Sequence, residues 1–293
     1  MATLSRHSTG ISELDAHLGG GLLPGTLTVL VGATGIGKTQ LGLSYAHAGS
    51  RQERPLGILF DMASRGDSQG HESYAERLFD WNLNEASVKN LQEMQQVFES
   101  APDGNLLRLF QMTGRRVTRR DLDFDDFRDW QQLLTQKLDL AYTYFYRHFI
   151  HGVRRVVFDG FEPVERSSDS LQLELLELLY HRCIRQESEW VAREVLRQRF
   201  RSHQEEVEQF QYPEEEISSV LLQTSAESML DHLIEKPLGE GDVLSNANTV
   251  IYLGKTREGG KFGRALYIAK HRGSACTEDI IPYVIEEAGI RLL

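Results

Sequence analysis

Short apolar runs rich in β-branched residues recur along the chain, separated by longer amphipathic stretches. Leu27 to Val31, Leu56 to Phe60, Leu106 to Phe110, Val153 to Phe158, Val220 to Gln223, Thr249 to Leu253 and Ala265 to Ala269 each have the length and apolar continuity of a strand. Leu41 to Ala48, directly after a glycine-rich segment, reads as the start of a helix. Strands alternating with helical segments predict an α/β fold with a largely parallel, twisted sheet flanked by helices.

Two regions are long for the simplest version of such a fold. Residues 64–105 and 111–150 carry mixed charged and aromatic helical patterns, expected to cover one face of the sheet. Leu171 to Phe210 contains neither glycine nor proline and passes from an apolar to a charged half. It reads as a long helix whose second half projects or meets a protein partner, the alternative being a solvated face. The expected organisation is one domain over residues 1–293 with helical insertions at about 64–150 and 165–215.

Composition narrows the function classes. With 293 residues, 40% of them hydrophobic, the chain can bury a proper core. A formal charge of −11 argues against a surface built mainly to neutralise nucleic-acid phosphates. The densest basic cluster, Arg115-Arg116 and Arg119-Arg120, is followed at once by Asp121, Asp123, Asp125 and Asp126, so local ion pairing is its expected use and DNA is not the favoured partner. Cys183 and Cys276 lie far apart without metal-type spacing and read as idle thiols. The ten histidines show no H-x-x-x-H spacing. No apolar run reaches the length of a membrane span or a secretory signal, and a soluble, cytoplasmic protein is expected.

One segment carries recognisable chemistry. Gly32-Ala33-Thr34-Gly35-Ile36-Gly37-Lys38-Thr39 matches G-x-x-x-x-G-K-[ST] in full, follows a predicted strand and opens a predicted helix, with Gln40 next in line. Small residues let backbone N–H groups turn inward around phosphates, an exposed Lys38 reaches the β and γ oxygens, and the Thr39 hydroxyl ligates Mg²⁺. The motif therefore implies binding of a nucleoside triphosphate, ATP with Mg²⁺. Asp159, after the Val153 to Phe158 strand, stands where a second magnesium-orienting carboxylate is expected.

Around this core the chain resembles the RecA superfamily of the KaiC and RadA type. The similarity is carried by Thr9-Gly10-Ile11 through Leu14-Asp15, by Leu18 to Leu22 and Pro24 to Thr28 ahead of the loop, and by Leu266 to Ser274, Tyr283 to Ile285 and Ala288 to Ile290 at the far end. It is weak over residues 64–150 and 165–215. The resemblance implies a homo-oligomeric ring or filament with nucleotide held between protomers. Lys270 and Arg272 would then reach the γ-phosphate bound by a neighbour, as arginine fingers do. Gln223, with Thr224 beside it, takes the usual place of a γ-phosphate sensor. The family's water-orienting glutamate after the second strand aligns here with Ala63 or Ser64, which cannot act as a base; Asp61 falls two residues early and Glu72 late.

Three functions follow from this combination. The favoured one is an ATP-binding protein whose nucleotide state controls self-assembly or partner binding, with slow or absent hydrolysis. The others are an active DNA-dependent ATPase of recombination or repair, and a KaiC-like phosphotransferase, for which Ser274 is the one hydroxyl beside Lys270 and Arg272.

Overall fold

In the computed structural model, which describes residues 5–63, 70–92, 97–109, 123–161, 170–235 and 246–293, each predicted apolar run becomes a strand. These are β1 (Leu27–Gly32), β2 (Ile58–Asp61), β3 (Leu106–Arg108), β4 (Arg155–Phe161), β5 (Ser218–Thr224), β6 (Thr249–Glu258) and β7 (Lys261–His271), followed by β8 (Ile281–Glu286) and β9 (Gly289–Leu292). They form one nine-stranded sheet in the order β3-β2-β4-β5-β1-β6-β7-β8-β9. From β3 to β6 the neighbours pair in parallel; β7, β8 and β9 add antiparallel pairs at one side. Every residue of β1, β2 and β4 is buried, as unbroken apolar runs require in a sheet covered on both faces.

The helices are α1 (Ser12–His17), α2 (Lys38–Gln52), α3 (His71–Phe79), α4 (Val88–Gln92), α5 (Phe124–Ile150), α6 (Leu171–Leu179), α7 (Ser188–Leu196), α8 (Gln204–Gln209) and α9 (Leu230–Glu235). Alternate strand residues face opposite sides of the sheet. Phe60, Phe158 and Leu221 meet Phe145 and Phe149 of α5 on one face, and Leu59, Val157 and Leu222 meet Leu41 and Tyr45 of α2 on the other. The two long stretches do not share one face, as their helical patterns had suggested. Helix α5 lies on the first, whereas Ala75 of α3, Trp81 and Leu83 join α2 on the second.

The Leu171 to Phe210 segment also departs from expectation, because it is broken rather than continuous. A π-helical turn at Tyr180–Ile184 ends α6, and a 3₁₀ stretch at Arg197–His203 separates α7 from α8. Arg197 turns the chain with a φ of 50°. Its second half does not project: Val191, Ala192, Leu196 and Val207 are buried in the α5-side core. The charged composition had hidden an apolar stripe sufficient to fold the segment back. Among the described residues no helix is long and apolar enough to cross a membrane.

Candidate functional site

The loop predicted from the glycine pattern lies between β1 and α2, at the carboxyl end of the parallel strands, where ligands bind in open α/β sheets. Gly37 is the residue before α2 and takes a φ of +107°, so the loop turns into the helix by a conformation that an L side chain would strain. There is also no room for one: a Cβ would stand 3.0 Å from Ile290 and 3.2 Å from Ile285. These isoleucines belong to β9 and β8, which pack onto the loop, and the Tyr283 hydroxyl donates to the Ile36 carbonyl at 2.6 Å. The closing hairpin is thus part of the wall of this site, a role that the apolar pattern of the C-terminus did not reveal.

Lys38 is buried rather than exposed, and its ammonium donates to the carbonyls of Gly32 at 2.8 Å and Ala33 at 2.9 Å. Burial pushes its pKa down to about 8, against the opposing pull of Asp159. Thr34 and Gly35 are exposed, Ile36 is buried, and Gln40 is buried with its Oε1 unpartnered. Thr39 donates its hydroxyl to Asp159 Oδ2 at 2.8 Å, across 120 residues of sequence. Asp159 does not end its strand, because β4 continues to Phe161 through an irregularity after Phe158, a device that re-aims side chains beside sites. Gly160, at φ +82°, completes it; a Cβ there would meet Asp61 Oδ1 at 2.6 Å.

Beside Asp159 lies a buried polar cluster that sequence reasoning missed in part. Asp61 and Asp159 are register partners on β2 and β4. His71, fully buried at the start of α3, places Nε2 3.1 Å from Asp159 Oδ2 and Nδ1 3.8 Å from Asp61 Oδ2. A carboxylate only accepts, so Nε2–H is the donor. Asp61 accepts from the Ala63 N–H at 2.9 Å. Arg108 on β3 approaches Asp61 at 3.6 Å and pairs with Glu72 at 2.5 Å and Glu85 at 2.8 Å. Burial raises the pKa of Asp61. Burial also acts upward on Asp159, but the His71 bond and charge, the Gly160 N–H and the Thr39 hydroxyl outweigh it and hold this carboxylate below its usual range. For His71, burial is outweighed by Asp159 and Asp61, and its pKa rises. No spacing rule could have singled out His71, since it follows β2 after residues 64–69.

The remaining candidates divide between the two ends of the sheet. Gln223 on β5 pairs with Val31, next to the loop, and its Oε1 is buried without a partner. Ala63 follows β2 within the described residues, whereas Ser64 and the arginine cluster at 115–120 lie outside them. Asp61 and Glu72 are both engaged with Arg108. Lys270 pairs with Val250, and the Arg272 N–H donates to the Asn248 carbonyl, at the level where β1 begins. From Leu27 to Gly32 the strand rises roughly 16 Å, so Arg272, level with Leu27, stands at the other end of the sheet from the Gly32 to Thr39 loop, and Lys270, level with Val29, stands partway along it.

Residues 7–105 match the family described as ATPase, KaiC. The chain is also similar to the DNA repair protein RadA of Mycobacterium tuberculosis strain CDC 1551 / Oshkosh, 50% identical over 46 residues, which is 16% of this chain and 10% of that protein. RadA of Mycolicibacterium smegmatis is 49% identical over 53 residues, 16% of this chain and 11% of its own length. The chain thus spans about a tenth of the length of the curated relatives it matches.

Proposed function

This chain is a RecA-superfamily protein of the KaiC/RadA type, and from that premise we propose that it binds ATP with Mg²⁺ and that its nucleotide state controls self-association, hydrolysis being slow. The observation that carries the reading is the completeness of the phosphate loop beside an incomplete hydrolytic site. Lys38, Thr39 and Asp159 converge, while the resemblance aligns the family's water-orienting glutamate with Ala63 or Ser64 after β2. The residues fit the ligand: a hydroxyl and a carboxylate 2.8 Å apart are the hard oxygen donors that Mg²⁺ takes. The unpartnered Gln40 and Gln223 amide oxygens add polar capacity at the same end. Bound Mg²⁺ would neutralise phosphate charge; Lys38 would bind the β and γ oxygens, and Gln223 would sense the terminal phosphate.

Self-association is supported by the position of Lys270 and Arg272. Arg272 is exposed, and burial together with Arg272 lowers the pKa of Lys270. A cationic pair toward the opposite end of the sheet from the loop can serve a nucleotide held by a neighbouring copy. Contacts that ATP offers and ADP lacks shift an assembly equilibrium. The reading is tested by sedimentation of wild type and Lys270→Ala/Arg272→Ala with ATP and with ADP. Wild type should assemble with ATP, and the double variant should bind nucleotide yet respond to both alike. A wild type that stays monomeric in saturating ATP, or a double variant that assembles equally well, overturns it. The RadA similarity favours a second reading, DNA-dependent turnover; strong stimulation of ATP hydrolysis by single-stranded DNA would select it instead.

A further inference from the structure

We propose that His71 is a positioning residue for the magnesium carboxylate, holding Asp159 in the orientation that the metal requires. This rests on the reading that Mg·ATP binds at the Gly32 to Thr39 loop. The fully buried imidazole is screened from solvent, so any influence on bound nucleotide passes through the groups it touches. The strongest of these is Asp159 Oδ2, at 3.1 Å, the oxygen that also accepts the Thr39 hydroxyl. Asp159 Oδ1 is held separately by the Gly160 N–H at 2.7 Å. With the Thr39 hydroxyl holding a metal, His71 would remain as the side-chain donor restraining Oδ2.

The surroundings show how the ring is kept in place. Asp61 and Asp159 are register partners on neighbouring parallel strands, and two adjacent carboxylates repel unless something lies between them. His71 occupies that position. Its Nδ1 has no hydrogen-bond partner and faces Asp61 Oδ2 at 3.8 Å. Asp61 is in turn oriented by the Ala63 N–H and by Arg108. Helix α3, which begins at His71, is tethered at both ends. Glu72 pairs with Arg108 at 2.5 Å, and Arg77 donates to the Glu287 carbonyl at 2.5 Å, in the turn between β8 and β9. Partners that orient a metal-bound group in this way are typically worth about 10–100-fold in metal affinity.

The experiment measures ATP affinity of the full chain by fluorescent-nucleotide titration, once with excess Mg²⁺ and once with EDTA. In wild type, Mg²⁺ should strengthen binding; no nucleotide binding, or none that depends on Mg²⁺, refutes the premise rather than the role of His71. His71→Leu, which fills the space without a donor, should lose about 10–100-fold of the affinity in Mg²⁺ and retain that in EDTA. His71→Gln, which restores an N–H donor, should recover most of the difference. Equal losses in both media, or none in either, overturn the proposal. Should neither variant fold, the Nε2–H resonance of His71 in wild type decides: it should shift when Mg²⁺ is added to the ATP complex, and an unmoved signal overturns the assignment.

Discussion

Lys38 donates its ammonium to two loop carbonyls, so removing it costs two hydrogen bonds, offset in part by relief of a buried charge, while removing the charge meant for the ligand. Lys38→Ala should therefore fold, melt slightly lower and fail to bind ATP; unchanged affinity in a fluorescent-nucleotide titration refutes the site. At the same scale, the family's water-orienting glutamate aligns with Ala63 or Ser64, neither of which is a base. Assistance of that kind contributes about 10²–10⁴-fold in rate. Turnover should accordingly stay below ~1 s⁻¹, the lower end of common enzyme rates. A steady-state phosphate-release assay checks this, and a faster rate would direct mutagenesis to Asp61 and Glu72.

Among the elements, the approach to the loop depends on a buried charge. Arg155, 1% exposed at the start of β4, donates to the carbonyls of Ser8 at 2.7 Å and Tyr45 at 2.9 Å, pairs with Glu53 at 2.7 Å, bonds the Gln52 amide oxygen and lies over the Tyr45 ring. It thereby ties the segment ahead of α1 to α2 and to the central sheet. Breaking a buried pair by removing one member leaves the other uncompensated, at a cost of about 3–5 kcal/mol. Arg155→Ala should lose stability of that order in urea denaturation. A loss within a few tenths of a kcal/mol would show that the N-terminal segment is held without Arg155.

For the whole molecule, acid stability is set in part by histidines that fold in the neutral form. His148 on α5 is buried against the Gly104 carbonyl at 3.1 Å, and burial pushes its pKa down to about 3. The unfolded chain takes up this proton near pH 6.5, whereas the fold resists until about pH 3. The contribution of His148 to stability should hold constant above about pH 6.5 and fall below it, by up to about 1.4 kcal/mol per pH unit. His148→Gln keeps a donor for Gly104 and cannot titrate. Denaturation curves across that window should be less steep for the variant; identical slopes would show that other groups govern the acid transition.

How much of this was legible in advance follows from the range of each interaction. The loop, its preceding strand and the helix it opens depend on residues adjacent in sequence, so Gly32 to Thr39 declared its own conformation, and unbroken apolar runs announced strands covered on both faces. Asp159 was legible for the same reason, as a carboxylate at the end of such a run. The amphipathic helices were harder, because a helical stripe does not say which face of a sheet it will meet. The charged half of Leu171 to Phe210 folded back once tertiary contacts could bury Val191, Leu196 and Val207. His71 lay beyond local reasoning altogether: α3 delivers it between two carboxylates on neighbouring strands, and that neighbourhood exists only after the sheet has assembled. The chain by itself determined a glycine-rich loop and the strands that carry it. Packing over long sequence separations decided what surrounds that loop, because β8 and β9 reach it, and α3 reaches Asp159 beside it, through space and not along the chain.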